Sequence, residues 1–103
     1  MIIPVKITHM EEPQSVAFRD NTQHKKQDFW LRYDNTLDDG SQESWGTFMT
    51  LWDEKITEFI EVYHPKLDDY IRVDITPGYS KREWQGRTIY SRELRVRPVI
   101  PTG

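Results

Sequence analysis

The chain has 103 residues, a formal net charge of −3 and no cysteine, with aromatic residues at 13% inside a hydrophobic fraction of only 36%. That length holds one domain. The missing cysteines exclude a disulfide framework, a thiolate nucleophile and a Cys-based zinc site, and no apolar run approaches the ~20 residues that span a bilayer. A single alanine, Ala17, stands against nine Ile and six Val. This balance favours strands, because β-branched and aromatic side chains suit a pleated surface and alanine is the leading helix former.

The first segment, Ile2 to Thr8, is β-prone, with Pro4 near its start; Glu11-Glu12-Pro13 breaks it. Val16 to Arg19 either resumes that strand or begins another, and Asp20-Asn21-Thr22 reads as a turn. Gln27 to Tyr33 alternates, with Phe29, Leu31 and Tyr33 on one face and Trp30 and Arg32 on the other. Asp34 to Ser44 reads as a polar loop. Trp45 to Trp52 forms a third strand, setting Thr47, Met49 and Leu51 against Gly46, Phe48, Thr50 and Trp52.

The period then changes. Asp53 is a candidate N-cap, and Ile56, Phe59, Ile60 and Tyr63 follow at i, i+3, i+4, i+7 on a helix of about ten residues. His64-Pro65 ends it, since the residue before a proline is pushed out of the α region. Tyr70 to Thr76 is a strand with Ile71, Val73 and Ile75 inward, and Pro77-Gly78 suggests a turn or bulge. Tyr79 to Trp84 and Arg87 to Val96 read as a hairpin across Gln85-Gly86. The tail from Arg97, with Pro98 and Pro101, does not suit a sheet interior. No repeat or linker divides the chain, so residues 1–103 read as one domain, with 1–22 the least defined part and 98–103 a short tail.

Strands, one short helix between the third and fourth main strands, and then an extended C-terminal hairpin are the layout of an OB-fold, an all-β, five-stranded Greek-key barrel. An SH3-like barrel, the main rival, does not account for a three-turn helix at that point.

With the inward faces filled as above, the outward set is Trp30, Phe48, Trp52 and Tyr70, with Arg32 and Arg72 among them. Large exposed aromatics in one area mark an interaction site. Single-stranded nucleic acid suits them, because every base offers a π-face and interleaved cations meet the phosphates. The last hairpin has the same mixture in Tyr79, Lys81, Arg82, Trp84, Arg87, Tyr90 and Arg92. For Trp45, Trp52 and Trp84 a packing role competes with a binding one, and Arg95 and Arg97 read as a solvated or ion-paired face. Charge is divided in the same sense: residues 1–70 carry seven Lys/Arg against fourteen Asp/Glu, whereas residues 71–103 carry seven against three. The basic end either meets a polyanion or neutralises the acidic end within the fold.

Lys25-Lys26-Gln27-Asp28-Phe29, Leu51-Trp52-Asp53-Glu54-Lys55-Ile56, and Arg82-Glu83-Trp84-Gln85-Gly86-Arg87 followed by Leu94-Arg95-Val96 resemble a group of small bacterial and phage OB-fold proteins that is itself similar to bacterial single-stranded DNA-binding protein. The similarity runs from Gln23 to Val99. It implies that Trp52, where the third strand meets the helix, stacks on DNA, and that Trp45 corresponds approximately to a second stacking aromatic at the start of that strand. The long Gly/Pro/Gln-rich linker and acidic tip by which those proteins recruit partners have no counterpart here.

Asp34 to Trp45 resembles a calcium loop but has Asp39 at the sixth position and Trp45 at the twelfth, where Gly and Glu are needed. His9, His24 and His64 share no metal-ligand spacing, and Asp68-Asp69 reads as a turn. No phosphate-binding Gly-rich loop or nucleophile elbow is present. No catalytic residue, metal or cofactor is therefore expected.

The expectation is a sequence-tolerant single-stranded DNA-binding protein, acting in replication, recombination or phage DNA metabolism, with RNA as the alternative strand. Its candidate contacts are Trp30, Arg32, Trp45, Phe48, Trp52, Arg72, Tyr79, Lys81, Arg82, Trp84, Arg87 and Tyr90. Met1 to Thr8 lacks the layout of a signal peptide, so a cytoplasmic site in a bacterium or phage-infected cell is expected, with no membrane partner and with association into a dimer or tetramer. The alternative is an OB-type interaction module whose aromatics form an oligomer or partner interface.

Overall fold

The computed structural model describes residues 1–101, apart from the side chain of Arg92. Thr102 and Gly103, the end of the expected tail, lie outside the described residues. The chain folds in the order β1 (Ile2–Met10), β2 (Gln14–Ala17), β3 (Gln23–Thr36), β4 (Gln42–Trp52), α1 (Glu54–Tyr63), β5 (Tyr70–Trp84) and β6 (Arg87–Pro98). All six strands join one antiparallel sheet. The all-β class with one short helix is as expected.

β1 organises the sheet by changing partners along its length. Its first half pairs with β5 (Ile2↔Asp74 to Lys6↔Tyr70) and its second half with β3 (Lys6↔Arg32 to Met10↔Phe29), with an irregularity between Ile7 and His9. Glu11 to Pro13 interrupt it, and β2 continues along the same edge of β3. The Gln27 side chain spans the interruption, donating from Nε2 to the Glu11 carbonyl at 2.8 Å.

One face of the sheet carries the core. Val5, Ile7, Phe29, Leu31, Met49, Ile71 and Val73 are all but fully buried there, as the alternation requires. Helix α1 covers one side with Ile56 and Phe59, and the Phe59 ring meets Phe29 edge-on at 5.1 Å. Ile60, expected in the apolar stripe, is instead exposed. The stripe that meets the sheet is i, i+3, i+7, leaving i+4 on the flank. Tyr63 closes the far end by donating its hydroxyl to the Val99 carbonyl at 2.5 Å.

Several expectations need correction. The sheet has six strands and is open, with no ladder joining β4 to β6 among the described residues, so the pairings do not describe a closed five-stranded barrel. β6 pairs with β5 along its whole length and follows it outward. Asp34 to Ser44 is mostly ribbon rather than loop: β3 and β4 stay paired out to Thr36↔Gln42. Polar side chains bridge the two strands there, Ser44 Oγ donating to Asp34 at 2.6 Å and Asn35 to Glu43 at 3.3 Å.

Asp53 does not cap α1 with its side chain. It sits at φ 49°, and its carboxylate accepts from the Lys25 N–H at 2.9 Å, tying the helix start back to β3. Pro77-Gly78 makes neither turn nor bulge, since β5 runs straight through Pro77↔Leu94 and Gly78↔Glu93. Ile75 donates to the Met1 carbonyl, so Pro77, two residues on, directs its missing N–H to the same side, just past the end of β1, where no ladder asks for it. Pro98 likewise ends β6 opposite Val73, outside a hydrogen-bonded pair, while the next residue, Val99, donates to the Arg72 carbonyl.

Candidate nucleic-acid interface

Residues opposed in an antiparallel ladder share a face, so the registers define one outer surface running across the whole sheet. From β4 to β6 it carries Phe48 opposite Trp30, Arg32 opposite Lys6, Tyr70 opposite the same Lys6, Arg72 opposite Pro4, and Arg97 opposite Asp74. Trp30 is 43% and Phe48 62% exposed although they are adjacent large aromatics. A groove of about 430 Å³ beside them is lined by Thr8, Trp30, Arg32, Ser44 and Phe48 among others. The Trp30 ring is held edge-on against His9 at 5.2 Å, which fixes its plane without covering it.

Trp52 lies on the same outer face opposite Lys26 and is 37% exposed. Its other side is shielded by Phe18, edge-on at 5.5 Å, and Phe18 stacks on His24 at 4.1 Å. A chain of short bonds secures this corner. Asp53 contacts His24 Nδ1 at 2.7 Å, His24 Nε2 contacts the Thr22 hydroxyl at 2.7 Å, and Thr22 donates to Asp20 at 2.6 Å. Thr22 Oγ1 thus sits between Asp20 and His24, and the network locks the β2–β3 turn beneath Trp52. The His24 bond, with the Lys25 N–H, holds the Asp53 carboxyl below its ordinary range, and the bonds from Thr22 do the same for Asp20.

Other expected residues are placed differently. Trp45 is half-buried, tilted against Tyr33 at 5.3 Å and packed on the core, while it also lines the groove beside Trp30 and Phe48. Arg32 donates from Nε to Asp34 at 2.9 Å and lies 3.3 Å from Ser44 Oγ, which engages part of its guanidinium. Bonds from Ser44 and Arg32 lower the Asp34 carboxyl in turn. Beyond the end of β1, β5 and β6 continue as a two-stranded arm, and its ladder divides the expected hairpin set between two faces. Arg82, Trp84 and Arg87 continue the outer face. Tyr79, Lys81 and Tyr90 continue the core-side face, with Pro77 and Leu94.

The sheet curls until β4 and β6, which run in the same direction, border a common groove of about 740 Å³. Phe48 and Trp52 line one wall and Arg95 and Arg97 the other. The Arg95 guanidinium lies across Gly78, where a Cβ would come within 2.7 Å of its Nε. The sequence reads these two arginines as a solvated or ion-paired face, and nothing linear connects them with Phe48 and Trp52. The strand phasing does put them on the outward side, and that was the only signal available. Among the described residues no group of three or more His, Asp or Glu side chains is arranged to hold a metal ion, and no helix is long and apolar enough to cross a membrane. Compared with known proteins, the chain matches no family model, and no curated protein matches it significantly.

Proposed function

We propose that this protein binds single-stranded DNA without strong sequence preference, along the outer face of an OB-type barrel opened at the β4–β6 groove. The observation that carries the reading is the pairing of exposed, oriented aromatics with cations on one continuous surface: Trp30, Phe48 and Trp52 beside Arg95 and Arg97. Bases stack on the rings at about 1–3 kcal/mol each, and the arginines meet the phosphates and can stack as well. Arg72 on the sheet and Arg82, Trp84 and Arg87 on the arm extend the path. The strand order β4-β3-β1-β5-β6, with the helix between β4 and β5, supports the OB reading, because that is a Greek-key barrel order cut at one seam. Replication, recombination or phage DNA metabolism is the setting we propose, on the resemblance described above.

Titration of intrinsic tryptophan fluorescence with oligo-dT tests the reading. Stacking quenches the emission, and contact with four or five phosphates gives a log–log salt slope of about −3, at ~0.7 per phosphate for single strands. Unquenched emission together with no mobility shift at low salt overturns it.

A further inference from the structure

We propose that the core-side face of the β5–β6 arm is a docking surface for a second copy of this chain, which it receives through that copy's acidic β3–β4 turn. This proposal is independent of strand binding, because it uses the opposite face of the arm.

The surface is apolar and uncovered. Tyr79, Tyr90 and Leu94 are 64%, 65% and 58% exposed and share the face with Pro77 and Lys81. A depression of about 440 Å³ lies among Pro77, Gly78, Tyr79, Glu93 and Leu94. β1 has ended by Ile75, so the arm is a bare two-stranded ribbon, an arrangement of marginal stability on its own. The radius of gyration, 16.4 Å, exceeds the ~13 Å of a compact chain this long, consistent with a projecting arm.

The occupant is identified by its complementarity. At the positions on this face the arm carries two basic residues, Lys81 and Arg92, against one acid, Glu83, whereas Asp34 to Ser44 carries four acids and no base. At the tip of that second ribbon Leu37 is exposed and followed directly by Asp38 and Asp39. The Asp39 carboxylate is folded back onto the Ser41 N–H at 2.9 Å, which fixes the turn and leaves Leu37 and Asp38 to face outward contacts. An apolar knob beside a carboxylate thus matches an apolar strip beside Lys81.

Geometry makes the contact reciprocal. Lys6 lies opposite both Arg32 and Tyr70, and β3 and β5 are each antiparallel to β1. Both ribbons therefore leave the sheet at the same end. A two-fold axis at that end seats each copy's turn on the other's arm and closes the assembly as a dimer. Within one chain, no hydrogen bond or ion pair among the described residues joins Leu37–Gln42 to the arm.

Sedimentation equilibrium of the full chain at low salt, without nucleic acid, tests this. The wild type should dimerise, Leu37→Asp should abolish association, and Asp38→Lys and Lys81→Glu should each weaken it about tenfold, with the double charge swap recovering most of the loss. Leu37 and Asp38 lie at an exposed tip, so near-ultraviolet dichroism should stay unchanged and separate docking from folding. A wild-type monomer at about 100 μM, or association indifferent to Leu37→Asp and Asp38→Lys, overturns the proposal. So does a Tyr79→Ala/Tyr90→Ala variant that loses oligo-dT affinity while associating normally, because it gives this face to nucleic acid.

Discussion

Phe59 and Asp53 show how single side chains set the platform from which the outer aromatics project. Phe59 is fully buried and is the ring through which α1 grips β3 at Phe29. Phe59→Ala should cost about 3–5 kcal/mol by leaving a cavity at that junction, measured by urea denaturation. A loss below about 1 kcal/mol would mean that the helix is not held there. Asp53 is exposed, and its carboxyl is lowered by His24 and the Lys25 N–H. A lowered carboxyl supplies stability above its unfolded value that is lost as pH falls through the folded one. Melting temperature should therefore drop below about pH 4, and Asp53→Asn, which lacks this titration, should show a shallower drop over the same interval. Parallel curves would remove Asp53 from the acid response.

At the scale of elements, the strands around the core were legible because one face had to be apolar. Phe29 and Leu31, Met49 and Leu51, and Ile71, Val73 and Ile75 fall where alternation puts them. The outer half of the β3–β4 ribbon was not legible. Asp34, Asn35, Glu43 and Ser44 are polar on both faces and carry no period, and their strand conformation follows from bonds to one another across the ladder. Pro77 misled for a similar reason, since its cost depends on which edge β1 leaves uncovered. Gly78 gives an element-level test. Alanine there displaces the flexible Arg95 side chain rather than backbone, so stability should hold while the salt slope of oligo-dT binding becomes shallower by about 0.7, matching Arg95→Ala. An unchanged slope for both variants would take Arg95 out of the interface.

At the scale of the molecule, the two sides of the sheet carry different sets of exposed residues. Aromatic composition announced a surface, and strand phasing assigned Trp30, Phe48 and Trp52 to it, but the approach of β6 to β4 that adds Arg95 and Arg97 arises only from the curl of the whole sheet. The same three-dimensional path separates Arg82, Trp84 and Arg87 from Tyr79, Lys81 and Tyr90, which the sequence presented as one hairpin set. Oligo-dT affinity of paired face variants, followed by fluorescence anisotropy of a labelled strand, tests this division most directly. The account predicts that Trp30→Ala/Phe48→Ala weakens binding at least about tenfold, in keeping with the loss of two stacking rings, while Tyr79→Ala/Tyr90→Ala changes it less than about twofold. The reverse order, in variants that remain folded, would contradict it.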